Sequence, residues 1–558
     1  MTRAATATDA TSAEPPGNGV FDTRPGLLVA TLVAMFLLAA VVRVDRIDAP
    51  GVLLDRDFTS AVFARDFYFR HADDVEPWRK EVAHATRLKQ PTLEPPVTEW
   101  LAAQVYRVAG KEDIRYARLL TITFMLAGGW FLFRTTQRLV STDAAVFALA
   151  YYLFLPHMIL LSRSFQADAL MMLMYLASLS LLVRHHEAPT PQRLLAAAAL
   201  AGATLLYRPL VLFALVGAFV LPVIQRRGFW RGAFDRSSLV YVAIAVLPAA
   251  LYYGYLTVVA QNFGWKLASS FRPDLLAQRE YWQGWHELIV LAVGTMSIVM
   301  AAAGAVLLRP GLARPIVLGL ALGYLAFGAL FTTHIHTHGY YQAQLVPLVA
   351  VAASPLAVLA ARACLAAPGT VAKLAAAVVV GFFLALPAVR EWREGLAYSH
   401  EESPQVAREI GRLVGHSQRV VFLSPYYGMP LQYYGEFTGS YWPRPITSWP
   451  KPDRNERALS VAERLAAIRF EPEYFVVTAF KEFERHHRDL AAYLESRCRL
   501  KARAPDYLVY DACLPPEPGG SRDPATTADP ASPGPVAAAP LDGVGGIPAG
   551  GAPGPPRD

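Results

Sequence analysis

Eleven long apolar runs lie between residues 25 and 389, and they limit what this chain can fold into more than any other feature. The first is "GLLVATLVAMFLLAAVVRV". The others fall at about 116–135, 143–161, 167–184, 192–207, 209–225, 238–259, 287–308, 315–332, 341–361 and 371–389. Most are roughly 18–22 residues, enough to cross a hydrocarbon layer of about 30 Å as a helix. The first run is too long for a signal-peptide core and has no convincing cleavage site, so it reads as a retained helix. The whole sequence is 54% hydrophobic and 17% charged, against about 25% charged residues in soluble domains. The expected fold is therefore mainly α: a polytopic membrane helix bundle of about eleven crossings, with a small extracytoplasmic α/β domain at its C-terminal end.

The formal charge of +7 does not indicate a nucleic-acid partner, because the arginines fall between apolar runs rather than on one folded patch. They set orientation instead. With the N-terminus inside, the short inner loops carry twelve basic residues, among them Arg226, Arg227, Arg231 and Arg236. The short outer loops carry five: Arg163, Arg208, Lys266, Arg272 and Arg279. That excess satisfies the positive-inside rule. The expected location is a bacterial cytoplasmic (inner) membrane, with the C-terminal domain outside.

The expected domains are a disordered cytoplasmic segment over 1–24, a membrane domain over 25–389 whose first outer loop is 46–115, an α/β domain over 390–514, and a Pro/Gly/Ala-rich tail over 515–558. In the α/β domain, "QRVVFL", "PEYFVV" and "DYLVYD" have strand character, and "ALSVAERLAAIRF" reads as an amphipathic helix. The segment "CRLKARAPDYLVYDAC" reads as a hairpin. In an extracytoplasmic domain its ends, Cys498 and Cys513, can form a disulfide; two unpaired thiols fit the sequence equally well.

Polar residues that interrupt apolar context collect on the outer face. Asp55, Asp57, Glu94 and Glu99 lie in the first outer loop; Arg163, Gln166 and Asp168 lie in the second. Tyr207 and Arg208 lie in the third, Trp265 and Lys266 in the fourth, and "HIHTHGYYQAQ" (334–344) in the fifth. Each has a plainer reading as well. Asp57 and Asp168 suit helix N-termini, Asp55 and Glu94 suit solvated loops, and Arg208 can snorkel to the interface. His334, His336 and His338 alternate as they would on one face of an extended segment, a spacing unlike standard zinc motifs. A transporter would place its ionisable groups near the bilayer midplane; here they sit at helix ends.

Five stretches, in order, resemble the C-type superfamily of polyprenyl-phosphate-sugar-dependent membrane glycosyltransferases, and within it the protein O-mannosyltransferase and aminoarabinose-transferase group. They are "DRDFTSAVFAR", "LEPPVTEWLAAQVYRVAGKEDIRYARLL", "SRSFQADALMMLMYL", "ATLLYRPLVLF" and "HGYYQAQLVPLVA". The first departs from the family's usual Asp-Glu, having Asp55-Arg56-Asp57, so which aspartate is catalytic stays open; the residues that follow favour Asp57. The resemblance implies an inverting transfer of a sugar from a polyprenyl-phosphate donor to a hydroxyl acceptor (glycan, lipid or protein) on the outer face of the bilayer. Asp57 or Asp55 would take the acceptor proton. Glu94 and Asp168 would orient the acceptor or support a metal. Arg208, Lys266, His338 and Tyr341 would bind the donor phosphate. The resemblance implies no fixed cofactor. Mg²⁺ or Mn²⁺ on Asp57 and Asp168 would suit hard carboxylate oxygens. The alternatives are a flippase or transporter of lipid-linked sugars, or a catalytically inactive relative acting in envelope assembly.

Overall fold

A computed structural model describes residues 19–45, 47–48, 54–90, 94–260, 264–366, 369–370, 403–442, 460–468 and 470–511, with the side chains of 54–55, 265–267 and 365 excepted. Ten of the eleven apolar runs lie in these residues, and each is helical. Seven helices are long and apolar enough to cross a membrane: Pro25–Val44, Ile114–Leu139, Asp168–Glu187, Pro209–Arg227, Arg236–Val258, Ala313–Leu330 and Gly339–Cys364. Two bent pairs, Thr142–Phe154 with Pro156–Arg163 and Arg279–Val293 with Thr295–Leu307, raise the number to nine if each is one span. The run at 192–207 forms the 17-residue helix Pro191–Tyr207, shorter than the spans, and the run at 371–389 lies outside the described residues. The chain is a multi-pass membrane protein.

The bends have local causes. The first pair turns by 55° at Pro156, which cannot donate the hydrogen bond that would continue the helix. The second turns by 83° at Gly294, whose φ of +78° suits glycine. Arg43, fully buried, braces the first bend. Its Nη2 donates to the Leu153 carbonyl at 2.8 Å and its Nε donates to Ser162 Oγ at 2.9 Å, so one side chain ties both halves of the break to the first helix. Elsewhere small residues permit close crossings. A Cβ on Gly217 would lie 2.4 Å from the Gly319 carbonyl oxygen, which presses the helix following Arg208 directly against Ala313–Leu330.

Three helices fill the loop between the first two spans: Leu54–Phe69, Pro77–Leu88 and Val97–Ala109. Phe58, Val62, Tyr68, Phe69 and Tyr106 form their shared core. The C-terminal region carries a five-stranded sheet of β1 (Val420–Leu423), β2 (Gly439–Tyr441), β3 (Tyr474–Val477), β4 (Arg499–Ala504) and β5 (Tyr507–Asp511), in the order β2-β1-β3-β5-β4. The first three strands are parallel neighbours, while β5 runs antiparallel to both β3 and β4. The β4–β5 pair is the hairpin read from the sequence. Cys498 is disulfide-bonded and Cys364 is free; Cys513 lies outside the described residues.

This region is seated on the first loop. After β1, Tyr426, Tyr427 and Gly428 adopt φ of 51°, 54° and 63°, a left-handed turn that leads into the helix Met429–Gly435. Met429 and Tyr433 from that helix enter the first-loop core. Arg65 binds Glu112 at 2.8 Å and the Tyr433 carbonyl at 2.5 Å, and Arg79 pairs with Glu436.

Candidate functional site

Arg208 owes its position to its neighbours in sequence. Pro209 disfavours helical geometry in the residue before it, so the helix ends at Tyr207 and Arg208 is extended, with φ −155° and ψ 109°. The side chain is 2% exposed. Its Nη1 donates to Glu94 Oε1 at 3.0 Å, and its Nη2 lies 3.2 Å from Asp168 Oδ1. Neither Asp168 oxygen accepts a properly directed hydrogen bond, so this second pairing is electrostatic. Arg208 Nε, also buried, has no hydrogen-bond partner. Burial alone would lower the Arg208 pKa; Asp168 and then Glu94 outweigh it and hold it above its usual value. Three candidates up to 114 residues apart thus form one cluster, with Arg208 and Asp168 buried and Glu94 half-buried.

A tyrosine shelf borders it. The Arg208 guanidinium lies 5.7 Å from the Tyr340 ring centroid. Arg56 lies 4.9 Å from the same ring and donates to the Tyr340 hydroxyl at 2.8 Å. Tyr341 and His338 pack on Tyr340 with centroids at 4.5 and 5.4 Å. The cluster therefore holds two guanidiniums and two carboxylates beside aromatic rings.

Asp57 is placed differently. The described helix already includes Leu54, so Asp57 lies inside the helix rather than capping it. It is fully buried. Oδ2 accepts from Arg118 Nη2, and Oδ1 accepts from the Phe165 N–H at 2.6 Å. Asp57 thereby fixes the loop that carries Asp168, and both of its oxygens are engaged. The side chains of Asp55 and Lys266 lie outside the described residues.

The histidines do not share one extended face. Thr332–Ile335 is a turn of helix, so the alternation is broken. His334 and His338 meet with ring centroids 5.9 Å apart, whereas His336 packs on Tyr281 at 5.2 Å. Among the described residues, no group of three or more His, Cys, Asp or Glu side chains is arranged to hold a metal ion. Glu94 and Asp168 both face Arg208 and Asp57 faces Arg118, so the described side chains do not fit a resident divalent ion.

Four partners escaped the sequence reading: Arg56, Arg118, Tyr340 and the carboxyl role of Glu99. Arg118 had a signal, being a charge at the start of an apolar run, where an ionisable group needs a partner. Glu99 accepts from Ser60 Oγ at 2.8 Å. Burial raises its pKa from 4.5 to about 7; the Ser60 hydrogen bond opposes the shift, Glu94 adds to it and Arg208 reduces it. The folded chain then binds a proton that the unfolded chain has released between about pH 4.5 and 7, so stability falls as pH rises through that window. Glu99→Gln is expected to flatten this slope and to raise the melting temperature at pH 7.5 relative to the wild type. Thermal melts across pH 4.5–8 check it, and parallel curves for the two proteins would refute it.

Residues 93–257 match a family model described as dolichyl-phosphate-mannose-protein mannosyltransferase, a span that contains Glu94, Asp168 and Arg208. The structure is similar to crystal structures of ArnT from Cupriavidus metallidurans. The apo form has a TM-score of 0.52 at 14% identity, covering 87% of this chain and 97% of ArnT. The form bound to undecaprenyl phosphate has a TM-score of 0.51 at 13% identity, covering 88% and 98%. The archaeal oligosaccharyltransferase AglB from Archaeoglobus fulgidus, in complex with an inhibitory peptide and a dolichol-phosphate, has a TM-score of 0.54 at 13% identity, covering 84% of this chain and 70% of AglB. No curated protein sequence matches. The chain has the fold of the C-type (GT-C) membrane glycosyltransferases. Within that class, the family match and the ArnT structures bear out the resemblance drawn from the sequence.

Proposed function

We propose that this protein is an inverting glycosyltransferase that moves a sugar from a polyprenyl-phosphate donor to a hydroxyl acceptor on the outer face of the membrane. The observation that carries the reading is the buried Arg208, held between Glu94 and Asp168 with its Nε unpartnered. The ArnT and AglB structures, solved with undecaprenyl phosphate and a dolichol-phosphate, support a lipid phosphate as ligand.

The acceptor hydroxyl attacks the anomeric carbon as the bond from that carbon to the phosphate oxygen breaks. The electron pair leaves with the phosphate, and the acceptor proton passes to a carboxylate. A single displacement inverts the sugar carbon. Charge grows on the phosphate oxygens, where a fixed guanidinium stabilises it most. Arg208 supplies that fork, Arg56 adds a second cation across Tyr340, and Lys266, His338 and Tyr341 complete the phosphate side. Glu94 and Asp168 hold Arg208 and orient the acceptor. Because Asp57 has both oxygens engaged, we assign proton removal to Asp55 and fixing of the loop to Asp57. The lipid tail stays among the helices and holds the reacting carbon at a set depth, which limits the freedom lost at the reactive step.

The test uses the full chain in proteoliposomes with undecaprenyl-phosphate-linked sugars of known anomeric configuration. Release of undecaprenyl phosphate with an inverted glycoside product is expected. Intact donor moving across the bilayer uncleaved would mean a flippase, and binding without cleavage would mean an inactive relative.

A further inference from the structure

Gln166 is buried, 2% exposed, and neither its Nε2 nor its Oε1 has a hydrogen-bond partner. The other buried glutamines among the described residues differ. Gln342 donates to the Ile335 carbonyl at 2.8 Å and accepts from the Tyr324 hydroxyl. Gln432 donates to the Gly428 carbonyl at 3.4 Å and accepts from Thr438 at 3.1 Å. Gln344 donates to the Tyr341 carbonyl at 3.3 Å and leaves only its Oε1 unpaired. Leaving a buried donor or acceptor unpaired costs about 1–3 kcal/mol each, so a side chain with both unpaired calls for a partner beyond the protein, water or ligand.

The surrounding loop is firmly set. The preceding residue, Phe165, gives its N–H to Asp57; the following residue, Ala167, accepts from the Tyr207 hydroxyl at 3.2 Å. Asp168 comes next, its carboxylate buried and without a hydrogen-bond donor. Gln166 thus stands two residues before Asp168 of the Arg208 cluster.

The chemistry of an amide narrows the ligand. Phosphate oxygens accept only and would leave Oε1 unpaired. A cation would leave Nε2 unpaired. A hydroxyl group both donates and accepts, as water does, and two neighbouring hydroxyls of a bound sugar would satisfy the whole amide in place of water. We infer that Gln166 reads hydroxyl groups of the transferred sugar, and so helps decide which polyprenyl-phosphate sugar is used. This rests on the proposed glycosyl transfer.

The test compares wild type with Gln166→Met, which keeps the side chain's length and removes both polar atoms. Without ligand, the variant is expected to melt no lower than the wild type, because it buries no unpaired amide; a lower melting temperature would assign the amide a structural partner and overturn the inference. Transfer is measured with undecaprenyl-phosphate donors carrying mannose, glucose, galactose and arabinose. The rate ratio between best and worst donor is expected to shrink by about 5- to 100-fold, corresponding to one or two lost hydrogen bonds, while the Kd for sugar-free undecaprenyl phosphate is unchanged. An unaltered donor ranking, or weakened binding of undecaprenyl phosphate itself, overturns this inference alone. Wild-type protein that neither binds undecaprenyl phosphate nor turns over any donor overturns the functional reading as well.

Discussion

Arg208→Ala is expected to lower transfer by about 10²–10³-fold, the usual loss when one preorganised donor to a developing anion is removed. Two effects add together. The phosphate loses its fork, and Asp168, fully buried, loses its countercharge. The second effect belongs to folding: a buried carboxylate left without its partner costs about 3–5 kcal/mol. Combining Arg208→Ala with Asp168→Asn separates them, because it removes both charges. The double variant is expected to recover folded protein, read as monodisperse yield and melting temperature, without recovering transfer. Arg208→Lys keeps the charge but has one ammonium where Arg208 presents two nitrogens to two carboxylates, so it should fold well and stay at least about tenfold slower. A well-folded Arg208→Ala protein with wild-type transfer would remove Arg208 from the chemistry.

The helices were legible because long apolar runs have few ways to satisfy their backbone in a bilayer. Their bends were less so. Pro156 and Gly294 both sit inside runs that read as single crossings, and a run's average composition hides one breaking residue. Among site residues, the outer-face argument gathered Glu94, Asp168 and Arg208 although they are far apart in sequence, since loops on one side of a bundle have little room to separate. It did not reveal which charge meets which. Asp57 pairs with Arg118 rather than with the cluster, and Arg56, seen first as an interruption between two aspartates, stacks on Tyr340. Those pairings depend on helix rotation and on the hinge at Arg208-Pro209, which apolar patterning does not encode. The histidine alternation misled for a related reason: a period of two implies one face only if the segment is extended, and Thr332–Ile335 is helical.

Asp57→Asn tests whether the first-loop aspartate is a base or an anchor. A general base that does nothing else would lose transfer and leave the amount of folded protein unchanged. The structure predicts another result. Asn keeps the shape and can still accept from the Phe165 N–H through its oxygen, but it turns an NH₂ donor toward the Arg118 guanidinium. Arg118 is 1% exposed and would lose the carboxylate it pairs with, a change that costs about 3–5 kcal/mol for a buried pair. Asp57→Asn is therefore expected to reduce folded yield and melting temperature together with transfer. Replacing both partners, Asp57→Asn with Arg118→Met, removes both charges and should restore stability, because an apolar substitute for a whole buried pair is often neutral or better. If Asp57 anchors the loop and Asp55 takes the proton, the double variant regains part of its transfer along with its fold. Asp57 is the base instead if the double variant melts like wild type and transfers nothing, since the loop would then be intact and the proton acceptor missing.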